Sequence, residues 1–141
     1  MGQFFSFLLD HYILTSAFIV LLGMLIYNEL RGRVLGYKDT SVNDVVKLIN
    51  NEDALVIDVR EEGLYESGHI VNALNIPVAL MDSKLAELEK HRDKPIIVVC
   101  RTGQVSARGC VELSRKGFKN LHKLKGGMLS WLDSNMPTVK D

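Results

Sequence analysis

The chain has 141 residues, room for one domain of ordinary size with little left over. Its 17 Lys and Arg balance 17 Asp and Glu, so no net field draws it toward nucleic acid, and there is no zinc-finger spacing, RNP-like strand or long basic run. The two cysteines, Cys100 and Cys110, are too few for a disulfide framework and lack the C-x-x-C spacing of redox or zinc sites, which fits a reducing compartment and leaves no metal site to expect.

The ordinary average conceals a division. Residues 11–28, HYILTSAFIVLLGMLIYN, carry no acidic or basic side chain apart from His11. As a helix this stretch is about 27 Å long, close to the hydrocarbon thickness of a bilayer. Tyr12 and Tyr27 stand at its two ends, where aromatic residues favour the interface. The preceding FFSFLL run lengthens the span or lies in the interface. A cleaved signal peptide would want a basic n-region, and here no Lys or Arg precedes the run while NELRGR follows it. A buried core helix would need a larger domain around it. The opening MGQFFS fits the myristoylation pattern at Gly2, a lipid that a spanning helix makes redundant. Residues 1–28 are therefore expected to be a membrane anchor. Arg31, Arg33 and Lys38 flank only its C-terminal side. The positive-inside rule then predicts an inner-membrane, single-pass chain with its N-terminus outside and its C-terminal domain in the cytoplasm.

Residues 29–39, with Gly32 and Gly36, read as a juxtamembrane linker, and 40–141 as the domain. Thr40 or Ser41 can cap a helix through VNDVVKLIN, with Asp44 in its first turn. ALVIDV (54–59) is a β-branched run buried on both faces. HIVNALNIP is a weaker strand closed by Pro77, and MDSKLAELEKH an amphipathic helix with Leu85 and Leu88 on one side. PIIVVC then reads as a strand, SARGCVELSRKG as a helix stopped by Gly117, NLHKLKG as a strand and GMLSWLDSN as a last helix. Strands alternating with helices predict an α/β domain with a mostly parallel central sheet flanked by helices. Sites in such sheets lie beyond the carboxyl ends of the strands, which places Asp58 and Cys100 on one rim.

A cysteine at a strand end, followed by a glycine-containing loop and a helix, has a chemical logic. Successive loop N–H groups converge on an anion, and a helix starting near Ser106 adds the positive end of its dipole. Arg101 brings a full charge, Thr102 and Ser106 bring hydroxyl donors, and Gly103 permits a positive φ. All favour the thiolate, which is the nucleophile. The competing reading makes Cys100 a small buried hydrophobe at a strand terminus. Cys110, mid-helix beside Val111 and Leu113, is read as core. His69, His91 and His122 are distant in sequence from Cys100 and argue for no Cys/His pair.

These residues carry a resemblance. LVIDVREEGLYESGHIVNALNIP (55–77), VVCRTGQVSA (98–107) and GGMLSWLDSNMP (126–137) resemble, in order, the strand ending Asp-x-Arg, the Cys-Arg-x-Gly loop and the Gly-Gly/Trp close of the rhodanese family. The likeness spans about Thr40 to Val139, and one N-terminal membrane helix is similar to a group of bacterial membrane-anchored rhodaneses. It implies sulfane-sulfur transfer: Cys100 attacks a small donor such as thiosulfate, holds the sulfur as a persulfide without any other cofactor, and passes it to a thiol or cyanide. Arg101, Thr102, Gly103, Gln104, Val105 and Ser106 would form the substrate- and persulfide-binding loop. Asp58, Arg60 and His69 read as structural support, and Trp131 as core or rim. A membrane or sulfur-relay protein is a further partner to expect.

Two departures matter. Many family loops carry Arg at the sixth position, where this chain has Val105, which removes an anion contact. The related phosphatases need Cys-x5-Arg, and counting from Cys100 puts Ser106 at the Arg position, which argues against phosphate chemistry. The alternative to an enzyme is a rhodanese-fold adaptor that recruits partners at the membrane. A dithiol redox or arsenate-type enzyme would need Cys110 to unwind its helix to meet Cys100.

Overall fold

A computed structural model describes residues 1–141 except the side chains at positions 4, 5, 8, 32 and 33. Arg33, one of the flanking cations, and three residues of the FFSFLL run thus lie outside the described residues. The chain divides into two compact units, Met1–Val34 and Leu35–Asp141.

The first unit is helical. Helix α1 covers Gly2–Asp10 and α2 covers Tyr12–Leu35. The FFSFLL run belongs to a separate short helix that ends at His11, whose φ of -118° and ψ of 42° leave the helical region. The α2 window Tyr12–Arg31 has a mean hydropathy of 1.8, and none of it is buried in the protein. Helix α2 is long and apolar enough to cross a bilayer. The expected linker is corrected: residues 29–35 continue α2, because NELRGRVL contains no proline and its glycine is tolerated within a turn.

The second unit is an α/β layer structure. Five strands, β1 Lys38–Thr40, β2 Leu55–Asp58, β3 Leu74–Asn75, β4 Ile96–Val99 and β5 Leu121–Leu124, form one sheet in the order β1-β5-β4-β2-β3. Every strand pair in it is parallel, with Val56 beside Ile97 and Ile97 beside His122 at the centre. Parallel strands need crossovers, so helices cover both faces. The period of two in IIVV divides it accurately between them. Ile96 and Val98 join Ile57, Cys110, Leu113 and Phe118 on one face, while Ile97 and Val99 join Val45, Leu124 and Trp131 on the other. Cys100 continues the Ile96–Val98 side.

The helices are α3 Val42–Glu52, α4 Glu62–Ser67, α5 Leu85–Glu89, α6 Gln104–Arg115 and α7 Gly127–Asp133. Ser41 caps α3: its Oγ accepts from the Asp44 N–H at 3.3 Å. Gly117, at φ 91°, ends α6, and Phe118 N–H turns back to the Leu113 carbonyl at 3.1 Å.

Four boundaries differ from the expectation. Lys38–Thr40 is an edge strand; with two charged residues and only Thr40 buried, it offers no apolar pattern to read. HIVNALNIP keeps only Leu74–Asn75 as strand, because Ala73 N–H bonds to the Ile70 carbonyl at 3.0 Å and Asn72 turns at φ 63°. MDSKLAELEKH is helical only over Leu85–Glu89: Met81 is drawn into the core after a 3-10 turn at Val78–Leu80. Helix α4 was not expected, since none of its six residues is buried.

Candidate active site

The cysteine loop lies where β4 ends and α6 begins. Cys100 is 3% exposed, and the side chain it follows onto that face of the sheet is Val98. The Gly103 N–H donates to Cys100 Sγ at 3.0 Å, and the Ser106 Oγ lies 3.3 Å from the same sulfur. Gly103 caps α6 at φ 99°, a left-handed conformation that aims its N–H back at the sulfur. Ser106 is fully buried one helical turn on, so its hydroxyl has few partners other than this one.

Electrostatics follow from that geometry. Burial is the largest influence on the Cys100 thiol and pushes it up. Against it stand the Ser106 hydroxyl and the N–H groups of Ser106, Gly103 and Thr102, and together these hold the thiol below its ordinary value. Cys110 is the internal control. It is buried too, but among the described residues its one hydrogen-bond partner is the His122 carbonyl at 3.8 Å, to which the thiol donates, and burial pushes its thiol up to about 12. Two cysteines on the same face of the sheet thus differ in chemistry because only one faces donors. Both are free thiols.

Of the other loop residues, Arg101, Thr102 and Gln104 are exposed, and Val105 is 47% exposed on the first turn of α6. The structure brings Gly103 and Ser106 to the sulfur and leaves the side chains of Arg101, Gln104 and Val105 toward solvent.

Asp58 and Arg60 do not touch the cysteine. Arg60 Nε and Nη2 hold the Asp58 carboxylate, at 2.7 Å for the Nη2–Oδ2 pair, and Nη2 also donates to the Gly68 carbonyl at 2.7 Å. This fork ties the end of β2 to the turn before His69. Val59 N–H donates to the Val99 carbonyl at 2.9 Å, so the fixed end of β2 sits against the residue preceding the nucleophile. His69 stacks on Tyr65 with centroids 3.8 Å apart, and its Nδ1 is 2.9 Å from the Tyr65 carbonyl. Its backbone pairs in both directions with Val139, so it fastens the C-terminal segment. Among the described residues no three His, Cys, Asp or Glu side chains are grouped to hold a metal ion.

One contributor was not singled out from sequence. Met128 N–H donates to the Cys100 carbonyl at 2.8 Å and Leu129 N–H to the Arg101 carbonyl at 3.2 Å. This approach requires Gly127, at φ 62°: a Cβ there would collide with both carbonyl oxygens. Two adjacent glycines, Gly126 and Gly127, with only Lys125 between them and the end of β5, are the available signal.

Comparison with known proteins places the whole domain. Residues 41–134 match the Rhodanese-like domain family. The chain belongs to the rhodanese-like family. Sequence relatives include the uncharacterized protein YibN of Escherichia coli (strain K12), 33% identical over 99% of this chain and 99% of its own length. The thiosulfate sulfurtransferase GlpE of Pseudoalteromonas translucida is 30% identical over 69% of this chain and 90% of its own. The crystal structure of a rhodanese-related protein from Thermoplasma volcanium, 30% identical, superposes with a TM-score of 0.64 over 74% of this chain and all of that one. The parallel sheet flanked by helices is thus the rhodanese-like α/β fold, and sulfurtransferases are among the relatives of this chain.

Proposed function

We propose that the protein is a membrane-tethered sulfurtransferase that moves sulfane sulfur from a donor such as thiosulfate to a thiol or cyanide through a persulfide on Cys100. The observation that carries this reading is the Gly103 N–H donating to Cys100 Sγ at 3.0 Å beside the Ser106 hydroxyl at 3.3 Å, which accepts from the thiol and can turn its own proton to the thiolate. In the first half-reaction the Cys100 thiolate attacks the outer sulfur of thiosulfate. The sulfur–sulfur bond of the donor breaks, and sulfite leaves with the electron pair. In the second, an acceptor thiolate attacks the outer persulfide sulfur, and Cys100 leaves as thiolate. No external oxidant or reductant is needed, and ping-pong kinetics follow. The anion moves by one sulfur between the two states, so a fixed cradle of N–H and O–H donors serves both without reorganising. Arg101, exposed at the mouth of the loop, orients an anionic donor.

Helix α2 supports the tether by its length and hydropathy. Arg31 and Lys38 on its C-terminal side support, through the positive-inside rule, a reading with the domain in the cytoplasm at the inner membrane.

The test uses the full chain in detergent. Incubation with thiosulfate should raise the protein mass by one sulfur atom, and Cys100→Ser should abolish the increase. Equal behaviour of the two proteins would leave the rhodanese-fold adaptor as the reading. Protease added to intact spheroplasts should spare the domain, and digestion there would reverse the orientation.

A further inference from the structure

Beside the cysteine loop runs an open groove of about 530 Å³ that the sulfur-transfer chemistry above does not use. One wall is the turn carrying Val78, Ala79 and Met81, and the other is the outer side of α6, with Ala107, Arg108 and Val111. We propose that this groove docks an acidic, aliphatic segment of the polypeptide that bears the acceptor thiol. The proposal deepens the sulfur-transfer reading and rests on it.

Position is the first argument. Ala107, at the groove's near end, directly follows Ser106, whose Oγ stands 3.3 Å from Cys100 Sγ. Arg115 lines the far end. Eight residues of helix separate the two, about 12 Å, which an extended peptide covers with about four residues. A thiosulfate ion has no use for such a length. A polypeptide whose cysteine enters the loop lays its neighbouring residues along it.

Charge is the second argument. The two carboxylates that line the groove are already neutralised by the protein: Asp82 by Lys116 at 3.2 Å and Glu112 by Arg115 at 3.2 Å. Arg108 is exposed and has no ion-pair partner among the described residues, and the same holds for Arg101 in the loop. The uncompensated charge along the path from loop to groove is therefore positive. It is complementary to carboxylates on the occupant, and such complementarity governs partner choice and encounter rate.

The walls give the third. Val78, Ala79, Ala107 and Val111 are small or β-branched, and the small Ala79 and Ala107 leave width for aliphatic side chains of the occupant. A segment alternating aliphatic and acidic residues after its cysteine fits both features, one side chain set to the walls and the other to Arg108.

The experiment loads the full chain with thiosulfate in detergent. It then compares sulfur transfer to two synthetic peptides, acetyl-Cys-Leu-Glu-Val-Glu-amide and acetyl-Cys-Leu-Lys-Val-Lys-amide. Serine versions labelled with fluorescein report binding by anisotropy. Wild-type protein should favour the acidic peptide by about tenfold in both readouts. Arg108→Glu should reverse the ratio of the two peptides. Ala79→Glu, on the facing wall, should do the same without touching α6. Taking the ratio within each protein cancels any change in loading. A protein that loads sulfur but treats both peptides alike, or whose ratio neither variant moves, overturns the groove and leaves the sulfur chemistry standing. A protein that never loads sulfur overturns the transferase reading and, with it, the acceptor role of the groove.

Discussion

The Met128 N–H donates to the carbonyl oxygen of Cys100 at 2.8 Å, so the residue that carries the thiol is held at its backbone by α7 and at its sulfur by its own loop. Gly127 makes the first hold possible, because a Cβ there meets the Cys100 and Arg101 carbonyls. Gly127→Ala combines a left-handed backbone cost of about 1–2 kcal/mol with overpacking of about 1–3 kcal/mol. The expected outcome is a loss of about 2–5 kcal/mol in urea unfolding of the full chain, together with slower sulfur loading. An unchanged midpoint would refute the role given to this glycine.

Ser106 should set the reactivity of Cys100. A hydrogen bond to a charged group contributes about 1.5–3 kcal/mol, which corresponds to about one to two pH units. Ser106→Ala should therefore move the pH midpoint of iodoacetamide alkylation upward by about that much. Ser106→Thr, which keeps the hydroxyl, should stay near wild type. Cys110 stays silent in this assay, since it is fully buried with its thiol pushed up to about 12.

Much of this was legible in the sequence, and the exceptions share a cause. β4 and β2 show as continuous β-branched runs because both of their faces are covered, and α6 shows because Gly117 stops it, although it begins at Gln104, two residues before the expected start at Ser106. β1 and α4 do not show, since an edge strand of three residues and a helix without a buried residue leave no periodic apolar signal. Within the site, Cys100, Gly103 and Ser106 follow from the logic of a loop cradling an anion. The hold of Met128 on Cys100 joins residues 28 apart in the chain through a crossover, and only the parallel pairing of β4 with β5 brings them together. Asp58 and Arg60 were legible as support because a charged pair ending a buried strand must satisfy itself nearby.

The Asp58–Arg60 fork gives the sharpest stability test. Their side chains are 1% and 10% exposed, so removing the guanidinium leaves a buried carboxylate without its partner. Arg60→Met should cost about 3–5 kcal/mol. By contrast Lys47→Ala, which removes a solvent-exposed pair with Asp44, should leave the unfolding midpoint nearly unchanged. Parallel urea titrations compare the two directly, and similar losses would refute the structural role of the fork.

His122 should make the domain sensitive to mild acid. Burial, and then the neighbouring Lys38 charge, depress its pKa against a smaller opposing influence of Glu52. Its Nε2 lies 2.9 Å from Asn120 Oδ1 and its Nδ1 2.8 Å from Thr40 Oγ1, partners that suit a neutral ring donating to the amide oxygen and accepting from the hydroxyl. The unfolded chain, with its His near 6.5, binds the proton first as pH falls. Stability from this group is complete above about 6.5 and is lost as pH drops through the folded value. Thermal unfolding between about pH 8 and about pH 5 should show a falling midpoint that His122→Gln flattens. An identical slope in the variant would assign the effect elsewhere.

Val105 tests how the loop meets an anionic donor. It stands 47% exposed on the first turn of α6, one residue before Ser106 and its bond to the thiol, so an arginine fits there without burying its charge. Val105→Arg adds a cation beside the proposed approach of thiosulfate to Cys100. The KM for thiosulfate should fall by about tenfold, with kcat little changed, because the new contact acts on donor binding in ground and transition state alike. The gain should shrink as salt is raised from low to physiological ionic strength, since the charge is exposed and screened over about 8–10 Å. A KM that does not move, or a gain indifferent to salt, would show that the donor reaches the sulfur by a route that does not pass this turn of the helix.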